Sequence, residues 1–220
     1  MSDTGSTQKL LTWLSPAFPI GAFAWSAGLE TAIADGLVRD STDTQNWVEG
    51  ALFHGGIATD AILLAHAHRQ HADAVQLLDL ADLALALTPA RERHAETTAT
   101  GDAFALAARA WPSAVYARLP PPCPYPIAVG AIAGAHGVDL VATISAFLTS
   151  VVHGQVSVAV RLVPIGQTDG LRIMAALEPV IASRTLEIAQ AGLEDIGSIA
   201  YAADIAQMRH ETQTTRIFKS

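Results

Sequence analysis

A chain of 220 residues has room for one sizeable hydrophobic core and is short for two independent ones. Half of it is apolar and only 15% charged, with mean hydropathy +0.31, so some of its apolar surface is expected to be buried against other chains. The net charge of -8 without a lysine run argues against nucleic acid, and the single cysteine, Cys123, excludes an internal disulfide framework or a multi-thiolate metal site.

Asp3, Pro16, Pro19 and Glu30 interrupt the first thirty residues, which lack the pattern of a secretory signal; a cytoplasmic location is expected. The apolar start Lys9 to Leu14 runs into "SPAFPIG", read as a loop. "WSAGLETAIADG" sets Leu29, Ala32 and Ile33 at helical spacing before a stop at Gly36. "TDTQ", Thr42 to Gln45, has the form of a capping box opening the next helix, whose face continues through Trp47, Ala51 and Leu52. Gly55-Gly56 joins that helix to "IATDAILLAHAHRQ". "ADAVQLLDLADLALALT" is the next, stopped near Pro89.

"ARERHAETTATGDAFALAARAW" follows, with Phe104, Ala107, Ala108 and Trp111 facing inward and Pro112 ending it. The proline-dense "RLPPPCPYP" is a semi-rigid extended connector. In "IAVGAIAGAHG", Gly130 and Gly134 are spaced for close helix packing, and Asp139 caps the helix after it. That helix has no charged residue from Leu140 to Val160, long enough to span a bilayer. His153, Gly154, Gln155 and the Ser/Thr residues favour a buried central helix, with no membrane partner. "PIGQTDG" reads as a turn, and "LRIMAALEPVIASRTLEIAQAG" as one helix or two around Pro179. No sustained period-two alternation occurs. The expected fold is all-α, one domain over 1–220, with eight to ten helices around an apolar central hairpin.

His66, His68 and His71 invite a metal reading, but on a helix His66 lies about 200° from His68, which favours a solvated histidine face. The only lysines, Lys9 and Lys219, follow no glycine-rich loop, so the chain is not a P-loop NTPase. No GxSxG elbow or HExxH pair appears, and no small-molecule catalytic constellation stands out. "RERHAE", Arg91 to Glu96, reads either as a self-paired exposed surface or as a docking patch. The "GQTDG" stretch reads as an interhelical turn before an anion site. The chain's end differs in kind: Arg209, Arg216 and Lys219 against Glu211 give residues 209–220 a charge of +2. Ile205 and Met208 lie at i,i+3, and Ile217-Phe218 is an apolar pair flanked by cations, suited to ordering on a complementary surface or to a mobile end.

"SPAFPIGAFAWSAGLE" (Ser15 to Glu30), "VRLVPIGQTDG" (Val160 to Gly170) and "DIAQMRHETQTTRIFKS" (Asp204 to Ser220) together resemble the UreF family of urease accessory proteins, in family order and over nearly the whole chain. The resemblance implies a non-catalytic, all-helical chaperone, typically a homodimer, bridging UreD (also called UreH) to the GTPase UreG for nickel delivery to apo-urease. It implies no stably bound cofactor: nickel passes through the complex and UreG binds the GTP. Residues 204–220 would be a partner-docking tail engaging UreD through Met208, Arg209, His210, Glu211, Arg216, Ile217, Phe218 and Lys219. Arg91, Glu92, Arg93 and Arg172 are candidates for docking the GTPase. Two alternatives stay open: a GTPase activator inserting Arg91, Arg93 or Arg172, and a nickel carrier using His66, His68 and His71.

Overall fold

The computed structural model of the chain describes residues 4–88, 90–197 and 199–220. Among them are α1 (Thr4–Trp13), α2 (Leu29–Ala34), α3 (Ser41–His54), α4 (Gly56–Arg69), α5 (Ala74–Ala86), α6 (Arg91–Ala107), α7 (Tyr125–Ala135), α8 (Leu140–Leu162), α9 (Gln167–Ile188) and α10 (Tyr201–His210), with short 3-10 turns and no strand. The all-α expectation holds. The helix stop expected at Pro89 lies outside the described residues.

The densest contact is between α4 and α7, and two glycines explain it. A Cβ on Gly130 would lie 2.2 Å from the Leu64 carbonyl oxygen, and one on Gly134 2.3 Å from that of His68. Any side chain there would push the helices apart, so α7 lies backbone-on-backbone against α4. Both helices are rich in small and branched apolar residues, and Pro126 to Ala133 of α7 are all buried. The main core extends from Leu10 to Ala189, with Trp13, Phe104 and Phe147 fully buried. Trp13 meets Phe104 and Trp111 edge-on at 6.5 and 5.5 Å, tying α1 to the end of α6.

Several local expectations are corrected. α3 begins one residue before Thr42, because Asp40 is the cap and accepts from the Asp43 amide at 2.9 Å. "GQTDG" is the cap and first turn of α9, where Asp169 accepts from the Gly166 amide at 3.1 Å. Pro179 sits inside α9 without dividing it. α8, charge-free from Leu140 to Val160, is not buried all round. Its Ile144, Phe147, Leu148 and Val152 enter the core, while Thr149, His153, Gly154 and Arg161 are exposed. Serine, threonine, histidine and glycine supply the polarity of the water-facing side, and Arg161 adds a charge in the last turn. By length and composition α8 also meets the requirements of a membrane span. The Asp139 cap is as expected, accepting from the Ala142 amide at 2.8 Å.

A smaller apolar cluster lies beside the main core: Leu29, Ala32, Val38, Val158, Ala159, Val163, Ala206 and Phe218. It joins α2, the end of α8, α10 and the chain's last residues. This cluster positions the site.

Candidate functional site

The six-residue helix α2 carries the centre of the site. Its N-cap, Gly28, has φ +81°, and a Cβ there would meet the Gln207 amide nitrogen at 2.7 Å. Glycine thus lets α10 lie directly on the start of α2. Two positions on, Glu30 is 6% exposed. One oxygen of its carboxylate accepts from the Ile217 amide at 2.7 Å; the other accepts from the Phe218 amide and lies at 3.0 Å from His210 Nε2. Burial alone would raise the Glu30 pKa. The hydrogen bonds from His210, Ile217 and Phe218 outweigh that and hold it below the usual carboxylate range.

His210 has no exposed surface, and its second nitrogen, Nδ1, lies 2.6 Å from a Glu92 oxygen. A neutral imidazole has one N–H, so donation to both carboxylates requires the imidazolium form. The other Glu92 oxygen accepts from Arg216 at 2.6 Å. Arg91 donates its backbone amide to Glu211 at 2.7 Å, and Arg209 forks onto Asp35 at 2.6 and 3.2 Å. Farther along, the Lys219 amide donates to Ala24 O at 2.7 Å and the Ser26 amide to Ser220 O at 2.9 Å. Phe218 fills the small cluster at 3% exposure, with the Arg161 guanidinium 4.5 Å above its ring.

The segment 209–220 is therefore folded onto its own chain, and the Ile217-Phe218 pair is split. Phe218 is internal and Ile217 is 67% exposed. With it, Tyr201, Ile205 and Met208 are 69, 52 and 47% exposed, spaced i, i+4, i+7 along one side of α10. The i,i+3 spacing of Ile205 and Met208 thus belongs to a ten-residue helix, α10.

"RERHAE" is neither an isolated exposed surface nor uniformly outward. Arg91 and Glu92 hold the C-terminal segment, whereas Arg93 turns inward to Asp60 and lies 3.5 Å from Glu96. Burial raises the Asp60 and Glu96 pKa values against the lowering effect of Arg93. All three line a cavity of about 150 Å³ together with Trp25, Trp47 and Gln207. Arg172 belongs elsewhere, paired with Asp169 on α9 at 2.8 Å. Sequence reasoning missed Glu30 and Asp60, while Glu96 belongs to the "RERHAE" patch but faces inward instead of forming a docking surface. An acidic residue in the apolar stretches "SAGLETAI" and "IATDAILL" was the available signal.

The histidines do not form a solvated face. His66 Nε2 lies 3.2 Å from Ala191 O, His68 Nε2 2.8 Å from Val138 O, and His71 Nδ1 2.9 Å from His68 O. These contacts stitch the end of α4 to neighbouring turns, and burial lowers the His68 pKa. Among the described residues, no group of three or more His, Cys, Asp or Glu side chains is arranged to hold a metal ion. Cys123 is buried and its pKa is pushed up to about 12, so the thiol stays protonated at neutral pH.

An all-helical body whose charged cluster is spent on its own C-terminal segment, beneath an outward row of apolar side chains, has the character of a protein with a docking surface. Sequence comparison gives the family. The UreF family profile matches residues 38–178. The urease accessory protein UreF of Rhizobium etli is 50% identical over 223 residues, covering 100% of both chains. That of Agrobacterium fabrum is 48% identical, covering 100% of this chain and 98% of its own. Urease accessory protein UreF 1 of Brucella canis is 44% identical over 99% of this chain and 95% of its own. The chain belongs to the UreF family.

Proposed function

We propose that this chain is a non-catalytic adaptor in urease maturation, bridging UreD and the GTPase UreG so that nickel reaches apo-urease under GTP control. The observation that carries the reading is end-to-end similarity to proteins named urease accessory protein UreF, including the C-terminal segment. Nickel is cargo on this reading, GTP belongs to UreG, and the adaptor works as a cytoplasmic homodimer. UreD docks on the outward side of the C-terminal region, where Tyr201, Ile205, Met208 and Ile217 stand exposed beside Arg216. His210 and Phe218 support that surface from behind. Arg91 and Arg172 are paired with Glu211 and Asp169 at the surface, and their side chains, 79 and 73% exposed, are accessible to a second partner, whereas Arg93 is committed to Asp60 and Glu96.

Coupling to UreG requires differential affinity: the adaptor favours one nucleotide state of UreG and thereby times release. Co-purification with UreD, UreG and apo-urease tests the bridge. Replacing Ile205 and Met208 together with aspartate should abolish UreD capture while helicity and dimerisation persist, and UreG should join UreD only when this chain is present. Retention of UreD by that variant would remove the docking assignment. Equal affinity for UreG in both nucleotide states would remove the coupling.

A further inference from the structure

Arg93 bridges Asp60 of α4 and Glu96 of α6 in the wall of the cavity of about 150 Å³. Among the lining residues these three alone are charged, so the cavity carries one net negative charge when both carboxylates are ionised. Arg93 does not use up the acceptors. It meets Asp60 Oδ2 and lies 3.5 Å from Glu96 Oε2, which leaves Asp60 Oδ1 and Glu96 Oε1 without a hydrogen-bond partner among the described residues. Gln207 of α10, only 8% exposed, lines the same cavity, and its side-chain oxygen is buried with no hydrogen-bond partner. A buried acceptor left unpaired costs stability, and a ligand with N–H donors would relieve that cost.

The remaining walls narrow the chemistry of that ligand. Ile20, Ile57 and Val151 are apolar, and Trp47 and Tyr125 present rings that meet no cation of the chain among the described residues. Trp25 differs, since the Lys219 ammonium already lies 5.6 Å from its ring centre. Apolar walls, aromatic rings and acceptors with an excess negative charge together suit a cation that carries a short hydrocarbon body. A quaternary ammonium has no N–H to give to the unpaired oxygens, whereas a primary ammonium has three. The space is of the size that admits a benzene-sized molecule. We propose that this cavity binds a small primary alkylammonium ion, whose N–H groups donate to Asp60, Glu96 and Gln207 and whose hydrocarbon body packs on Ile20, Ile57 and Val151. The Asp60 and Glu96 side chains keep 20 and 18% exposure, so the head-group end is reached from solvent without any opening of the fold. Burial raises both carboxyl pKa values, and a bound cation offsets the cost of keeping both ionised. Binding here is a property of this chain alone, whichever partner proteins dock outside.

The test titrates n-butylammonium chloride into the full nitrogen-15-labelled chain and follows the tryptophan indole N–H signals. Trp25 and Trp47 line the cavity, while Trp13 and Trp111 lie outside it and serve as internal controls. The Trp25 and Trp47 signals should shift and saturate, with a dissociation constant of about 1 mM or tighter, and the Trp13 and Trp111 signals should stay in place. n-Butanol, which has the same hydrocarbon body without the charge, should bind at least about tenfold more weakly. Glu96→Gln should weaken n-butylammonium by about tenfold or more, the scale of one charge-assisted hydrogen bond, and should erase most of its advantage over n-butanol. If Glu96→Gln does not fold, the comparison of the two probes on the unaltered chain decides. Equal binding of n-butanol, shifts that never saturate or that include Trp13 and Trp111, or undiminished affinity in a folded Glu96→Gln chain would each overturn the proposal. Tighter binding of potassium or zinc chloride at the same indoles would also overturn it, in favour of an inorganic-cation site.

Discussion

His210 Nδ1 lies 2.6 Å from Glu92 Oε2, joining the last residue of α10 to the first turn of α6 across 118 positions of sequence. No water-exposed route reaches this contact on the histidine side, since His210 is fully buried. A polar contact in that setting is costly to break from one side, because the remaining partner is left buried without its hydrogen bond.

Glu30→Gln preserves size while removing the charge that receives two backbone amides and faces His210 Nε2. It is expected to cost about 2 kcal/mol in urea unfolding, since an amide can offer only its single oxygen to these donors. Glu178→Gln, exposed on α9, serves as the surface control and should change stability by less than about 0.5 kcal/mol.

The pH response has a definite sign. Glu30 has its folded pKa held below the usual carboxylate value, so its contribution is fully present above that value and is lost as pH falls through the folded one. Asp60 and Glu96 have raised folded values, so their penalty is present at higher pH and is relieved as pH falls. Acid unfolding of the unaltered chain should therefore be shallower than that of Asp60→Asn, in which part of the compensating relief is gone. Circular dichroism between neutral pH and pH 3 reads the difference.

Arg93 and Arg91 are two positions apart and should behave differently. Arg93→Met leaves Asp60 and Glu96 facing each other across a cavity without their cation, and should cost about 3 kcal/mol. Arg91→Ala removes an exposed side chain and should stay within about 1 kcal/mol. Thermal denaturation of the two variants side by side checks this, and comparable losses would contradict the inward placement of Arg93.

Two glycine substitutions should have opposite signs. Gly130→Ala drives a methyl group into the Leu64 carbonyl of α4 and should destabilise by about 3 kcal/mol or prevent folding. Gly50→Ala lies in α3 with nothing within 4 Å of the added carbon and should stabilise by about 0.5–1 kcal/mol.

The sequence by itself determined the all-α class, the Gly130 and Gly134 packing face, the Asp139 cap, the junction at Gly55 and the family resemblance, because each depends on local spacing or on motifs read along the chain. It also singled out residues 209–220 as different in charge. Only the tertiary structure decided how those residues are used. Whether Phe218 faces water or a core depends on Leu29, Val38 and Val158, which come together only when α2 meets the end of α8. The partners of Arg91, Glu92 and Arg93 likewise lie 120, 118 and 33 positions away, beyond any helical periodicity. Long-range pairing of charges is set by the packed arrangement of helices, and no window of neighbouring residues contains it.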